Sequence, residues 1–80
     1  MTEQETLSTL SRILGELLAN DAVKLTMETR RSDVEGWDSF TYINFIVAVE
    51  QEFRIKLGLA EIESFDNVGS IVARIRRTVS

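Results

Sequence analysis

The sequence predicts an all-α fold, a four-helix bundle with three longer helices and one short helix. Three observations lead there. The 80 residues leave room for one economical core and one domain, 1–80. Apolar residues recur at i, i+3, i+4 and i+7 in three separate stretches. No Pro, Cys, internal repeat or low-complexity linker interrupts them.

The first helix lies between Glu3 and Ala19, with Leu7, Leu10, Ile13, Leu14, Leu17 and Leu18 on its apolar face and Asn20-Asp21 as its stop. Residues 20–37 lack a sustained period, although Val23, Leu25 and Met27 can anchor them. A connection this long in so small a domain is usually functional. The second helix runs from Ser39 to Phe53, and Asp38 or Ser39 can be its N-cap. Its positions Phe40, Ile43, Ile46, Val47 and Phe53 are expected to face Leu10, Leu14, Leu17 and Ile71 or Val72. Gly58 is placed to end this helical region after an extended exit at Ile55 and Leu57. A short element at Leu59–Glu63 follows. The last helix carries Val68, Ile71, Val72, Ile75 and Val79, capped by Ser64 or Asn67.

Composition narrows the function. Apolar residues make up 44% and charged residues 28%, the balance of a soluble globular domain. No apolar run approaches the roughly 20 residues of a membrane span. Met1-Thr2-Glu3-Gln4-Glu5 lacks the basic start of a secretion signal, so a cytoplasmic location is expected. With neither Cys nor His, the chain has no thiol nucleophile, no thiolate metal ligand and no imidazole base, so no enzyme is expected. The net charge of −4 is concentrated between residues 32 and 53, where Asp33, Glu35, Asp38, Glu50 and Glu52 face no base. Acidic surface repels nucleic-acid phosphates and attracts basic protein patches. The single basic concentration, Arg74-Ile75-Arg76-Arg77, complements a helix C-terminus.

Ser39 stands out in Gly36-Trp37-Asp38-Ser39-Phe40, at the start of a helix, where unpaired N–H groups and the helix dipole favour an anion such as a phosphodiester. It follows a long loop that another protein can reach. The nearest candidates to deprotonate it, Asp38 and Glu35, are carboxylates without a relay partner, so activation of the hydroxyl must come from outside. The plainer alternative is that Ser39 merely caps the helix. Trp37 also has two readings, a lid packed over the bundle edge or an exposed recognition residue, and Tyr42 and Phe45 share that ambiguity.

Gly36-Trp37-Asp38-Ser39-Phe40, then Glu50-Gln51-Glu52-Phe53, then Phe65-Asp66-Asn67-Val68-Gly69-Ser70-Ile71-Val72 together resemble the acyl carrier protein family over nearly the whole chain. The resemblance implies that a phosphopantetheinyl transferase attaches phosphopantetheine from coenzyme A to Ser39, with Asp38 as the acidic neighbour it reads and Gly36 as the turn glycine. Phe40 departs from the family's usual Leu and keeps an apolar anchor. Further implied partners are an acyl-loading ligase or transferase and a downstream enzyme that uses the acyl thioester. The carrier is expected to be a monomer that contacts them through Trp37, Thr41, Tyr42, Phe45, Glu50 and Glu52. Fatty-acid carriers typically hold acids at the positions of Thr41, Asn44, Glu50, Gln51 and Glu52; three are uncharged here, which implies a specialised lipid or secondary-metabolite pathway. A peptidyl or aminoacyl carrier and an unmodified helical adaptor are the alternatives.

Overall fold

The computed structural model describes residues 2–79, with the Val79 side chain, Met1 and Ser80 outside the description. The helices are α1 (Glu3–Leu18), α2 (Ser39–Phe53), α3 (Leu59–Ser64) and α4 (Val68–Val79), with a short 3₁₀ turn at Arg31–Asp33 between α1 and α2. The expected all-α bundle of three longer helices and one short helix is therefore observed.

Local chemistry sets each boundary. α1 opens in a capping box, in which Thr2 Oγ1 accepts from the Glu5 N–H at 3.1 Å and the Glu5 carboxylate accepts from the Thr2 N–H at 2.7 Å. It closes at Ala19, left-handed at φ 54°, one residue before the expected stop. α2 ends in the same way at Arg54, φ 55°. Gly58 therefore does not terminate α2. It is extended and precedes α3, where the Glu61 carboxylate accepts its N–H at 3.2 Å. The exit strand holds its shape because the Glu50 carboxylate accepts from the Leu57 N–H at 2.8 Å while Ile55 and Leu57 are buried. Asn67, rather than Ser64, caps α4 by accepting from the Ser70 N–H at 3.0 Å.

The long α1–α2 connection is tied down by three hydrogen bonds. Leu25 N–H donates to Ser11 Oγ at 2.9 Å. The first two amides of α4, Val68 and Gly69, donate to the Thr29 and Met27 carbonyls, each at 2.8 Å. Those N–H groups would otherwise be orphans of a helix start. The approach is close enough that a Cβ on Gly69 would lie 2.7 Å from the Met27 oxygen, so this position requires glycine.

α1 packs against α2 and α4. The core joins Leu7, Leu10, Ile13 and Leu14 to Phe45, Ile46, Val49 and Phe53, with Ile71, Val72 and Ile75 closing the third side. One expectation fails here. Phe40, Ile43 and Val47 are 77%, 49% and 45% exposed, and Leu17 is largely exposed as well. At about 100° per residue, Tyr42, Phe45, Ile46, Val49 and Phe53 share an arc of about 100°, while Phe40, Ile43 and Val47 form a separate stripe away from it. Helix α2 therefore carries two apolar faces, and only one of them is core.

Truncation of Phe45 to Ala is expected to cost about 3–5 kcal/mol, and Phe40→Ala less than about 0.5 kcal/mol. Urea melts followed by circular dichroism measure both. A larger loss at Phe40 than at Phe45 would reverse the assignment of faces.

Candidate functional site

The site is built by a sharp entry into α2. Gly36 sits at φ +88°, where a side chain would be strained, and the chain turns there. Trp37 then drops into the core, its ring edge-on to Phe45 at 5.1 Å and tilted against Tyr42 at 6.2 Å. Its indole N–H is buried without a hydrogen-bond partner among the described residues, a cost of about 1–3 kcal/mol that the buried ring area offsets. With the tryptophan as anchor, Asp38 and Ser39 are delivered at the surface.

These neighbours divide the work. Asp38 is the N-cap: its carboxylate accepts from the Thr41 N–H at 2.9 Å, and its carbonyl accepts from the Tyr42 N–H at 2.8 Å. The Thr41 hydrogen bond holds the Asp38 carboxyl below the usual aspartate range, which makes it a poor base. Ser39 is the first helical residue, exposed, with no hydrogen bond to its N–H or hydroxyl among the described residues. Its hydroxyl is free of any capping duty.

A cleft of about 320 Å³ opens beside Ser39, lined by Arg31, Tyr42, Ile43, Leu59, Ile62, Glu63 and Phe65. Its floor is Tyr42, whose hydroxyl donates to the Ile62 carbonyl at 2.7 Å and whose ring lies under the Arg31 guanidinium at 4.5 Å. Burial raises the Tyr42 phenol above its usual pKa, with Arg31 opposing, so the donor stays protonated at neutral pH. Among the described residues no cluster of His, Cys, Asp or Glu could hold a metal ion, and no helix is long and apolar enough to cross a membrane.

Gly36, Asp38 and Ser39 lie together at the turn into α2. Trp37, Tyr42 and Phe45 are buried rather than exposed and support the helix from beneath, with Tyr42 also lining the cleft beside Ser39. Thr41 is half-buried. Glu50 is occupied by the Leu57 amide, and Glu52 pairs with Arg12 of α1 at 3.1 Å. Phe40, Ile43 and Val47 instead form an exposed apolar stripe on the same helix. Its signal in the sequence is an excess of apolar residues on α2, more than one core-facing arc can hold.

A family model described as a phosphopantetheine attachment site matches residues 7–75. This chain belongs to the acyl carrier protein family. It is similar to the acyl carrier protein of Thermotoga maritima, 30% identical over 76 residues that cover 95% of this chain and 94% of the relative. It is also similar to the acyl carrier protein of Clostridium acetobutylicum, 34% identical over 80% of this chain and 83% of that one. The solution structure of the holo acyl carrier protein from Geobacter metallireducens superimposes with a TM-score of 0.82 at 33% identity, covering 90% of this chain and 83% of that one. The protein is accordingly a carrier and not an enzyme, and its prosthetic group is covalently bound phosphopantetheine. An exposed hydroxyl, an unpaired helix N–H and a cleft with one cation on an apolar wall suit such a group.

The capping carboxylate gives this acyl carrier protein a pH signature. A carboxyl whose folded pKa is lowered contributes stability that is complete above the unfolded value and is lost as pH falls through the folded one. Asp38→Asn is thus expected to lower stability at pH 7 and to converge on the wild type as pH drops below the ordinary aspartate value of 3.8. Urea melts between pH 7 and 2.5 test this, and a gap that stays constant with pH would contradict it.

Proposed function

We propose that Ser39 is the residue that carries phosphopantetheine, and that residues 1–80 act as a single carrier domain. The observation that supports this most directly is the separation of duties at the helix start: Asp38 caps, and the Ser39 hydroxyl is left exposed. When attached, the group supplies a thiol that holds the acyl chain as a thioester. The chain's own residues do the remaining work. The Ser39 oxygen bonds to the pantetheine-bearing phosphorus of coenzyme A as the pyrophosphate P–O bond breaks and adenosine 3′,5′-bisphosphate leaves, and the hydroxyl proton goes to a base of the phosphopantetheinyl transferase, because Asp38 is engaged at the backbone. Ile43, Leu59, Ile62 and Phe65 then offer apolar wall to the arm and its cargo.

The further partners are an acyl-loading ligase or transferase and a downstream thioester-using enzyme, met by a monomeric carrier in the cytoplasm. The pathway is a specialised one. Thr41, Asn44 and Gln51 are uncharged, Glu50 and Glu52 are held within the chain, and the solvent face of α2 is apolar at Phe40, Ile43 and Val47. Exposed ion pairs contribute only about 0–1 kcal/mol each, but the absence of three lowers both affinity and encounter rate.

Co-expression with a broad-specificity transferase is expected to add one phosphopantetheine by intact mass, and Ser39→Ala to abolish it. Persistence of the label in the Ala variant would move the site elsewhere. The holo protein is also expected to be turned over about tenfold or more slowly by fatty-acid synthase enzymes than their own carrier. Equal turnover with an equally steep salt dependence would remove the case for a dedicated pathway.

A further inference from the structure

Among the described residues Arg31 is the one cation that lines the cleft beside Ser39. It is exposed, yet its guanidinium is positioned: its carbon stands 4.5 Å over the centre of the Tyr42 ring. Tyr42 follows Ser39 by three residues, so the two side chains emerge one helical turn apart on neighbouring parts of one face, with about 5–6 Å between Cβ atoms. Among the described residues Arg31 makes no salt bridge, as is also true of Arg30, Arg54 and Arg77, and what sets it apart is its place in the cleft over Tyr42. Its backbone is fixed as the first residue of the 3₁₀ turn, which is closed by the Arg30 N–H on the Asp33 carboxylate at 2.9 Å. A guanidinium thus lines the same cleft as Ser39 and makes no salt bridge among the described residues.

Resting on the reading that Ser39 bears phosphopantetheine, we infer that Arg31 is the positioning residue for the proximal end of the arm, pairing with the phosphodiester at Ser39 over the Tyr42 ring. The chemistry requires a cation there. The phosphodiester adds a negative charge to a segment that already holds Asp33, Glu35 and Asp38, with Glu63 lining the same cleft. Guanidinium matches a phosphate's two free oxygens with two parallel N–H donors, which an ammonium does not. The pairing fixes the first bonds of the arm and so directs the remainder along the Ile43, Leu59 and Ile62 wall rather than into solvent.

The test compares apo and holo forms of the wild type, Arg31→Gln, Arg31→Lys and Arg30→Gln, with intact mass verifying conversion of each. At low salt the holo-minus-apo difference in Tm is expected to be about 2–4 °C smaller in Arg31→Gln than in the wild type, the scale of one exposed ion pair in a domain of this size. Arg31→Lys should retain part of that difference and Arg30→Gln all of it, and 0.5 M salt should erase the contrast. The Arg31 Nε resonance should shift between apo and holo wild type. Because each comparison is made within one variant, any loss from the missing stack on Tyr42 cancels. An unshifted Nε signal, or an Arg31→Gln penalty equal in apo and holo forms, would overturn the inference and leave Arg31 a support for the Tyr42 ring. Failure of the wild type to acquire the group at all would instead overturn the carrier assignment for Ser39.

Discussion

The hydrogen bond from the Tyr42 hydroxyl to the Ile62 carbonyl crosses from α2 to α3 over 2.7 Å, and the shape of the Ser39 cleft depends on it. A helix as short as α3 is far below the length at which helices persist on their own, and it contributes no buried residue. Its place must come from tethers. Tyr42 satisfies a carbonyl near its C-terminal end, one of the acceptors a helix terminus leaves open. Arg74 of α4 holds its other side through Glu61 and also donates to the Lys56 carbonyl at 3.3 Å. That ion pair keeps the Glu61 carboxyl below its usual pKa. With two polar tethers and little apolar burial, α3 belongs to the low-stability end of the structure. The wall of the cleft can therefore yield while α1, α2 and α4 keep the core intact.

Much of this architecture was legible because its signals are local. Leu7, Leu10 and Leu14 repeat at helical spacing and are all buried; Asp38 and Asn67 are short polar residues at helix starts and both cap. The failures have a common physical origin. Periodicity counts apolar residues without saying what covers them, so Phe40, Ile43 and Val47 read as core when their sector of α2 faces solvent. Trp37, Tyr42 and Phe45 read as ambiguous for the converse reason: nothing in their spacing shows that the Trp37 ring packs against both of the others beneath the site. Gly58 misled because glycine is the usual left-handed helix stop, while Arg54 accepts that conformation here and an Ile55 N–H to Glu50 carbonyl bond of 3.1 Å closes the turn. The placement of Arg31 was beyond reach of the sequence, since it arises from a loop folding back over Tyr42, one helical turn past Ser39.

Two demands on α2 explain its composition. A helix that only packs needs one apolar arc and a charged opposite face. On the proposed reading this one also meets enzymes, and the exposed Phe40, Ile43 and Val47 stripe would provide the apolar contact at the centre of a docked complex. The buried and the exposed apolar residues of α2 occupy different sectors, so substitutions in one need not disturb the other.

The same separation operates between adjacent residues at the helix start. Were Ser39 the N-cap, its oxygen would already be accepting a backbone N–H, and esterification to phosphate would exchange a compact cap for a bulky one. With Asp38 as the cap, the modification proposed at Ser39 would leave the Thr41 hydrogen bond in place. A phosphodiester there would meet the partial positive charge of the helix N-terminus, which favours an anion by about 0.3–1 kcal/mol. The carboxylates of Asp38 and Glu63 would oppose it, and on the inference above Arg31 would compensate. Conversion of the apo to the holo protein can then proceed without reorganising the bundle, as a carrier that meets several enzymes in succession requires.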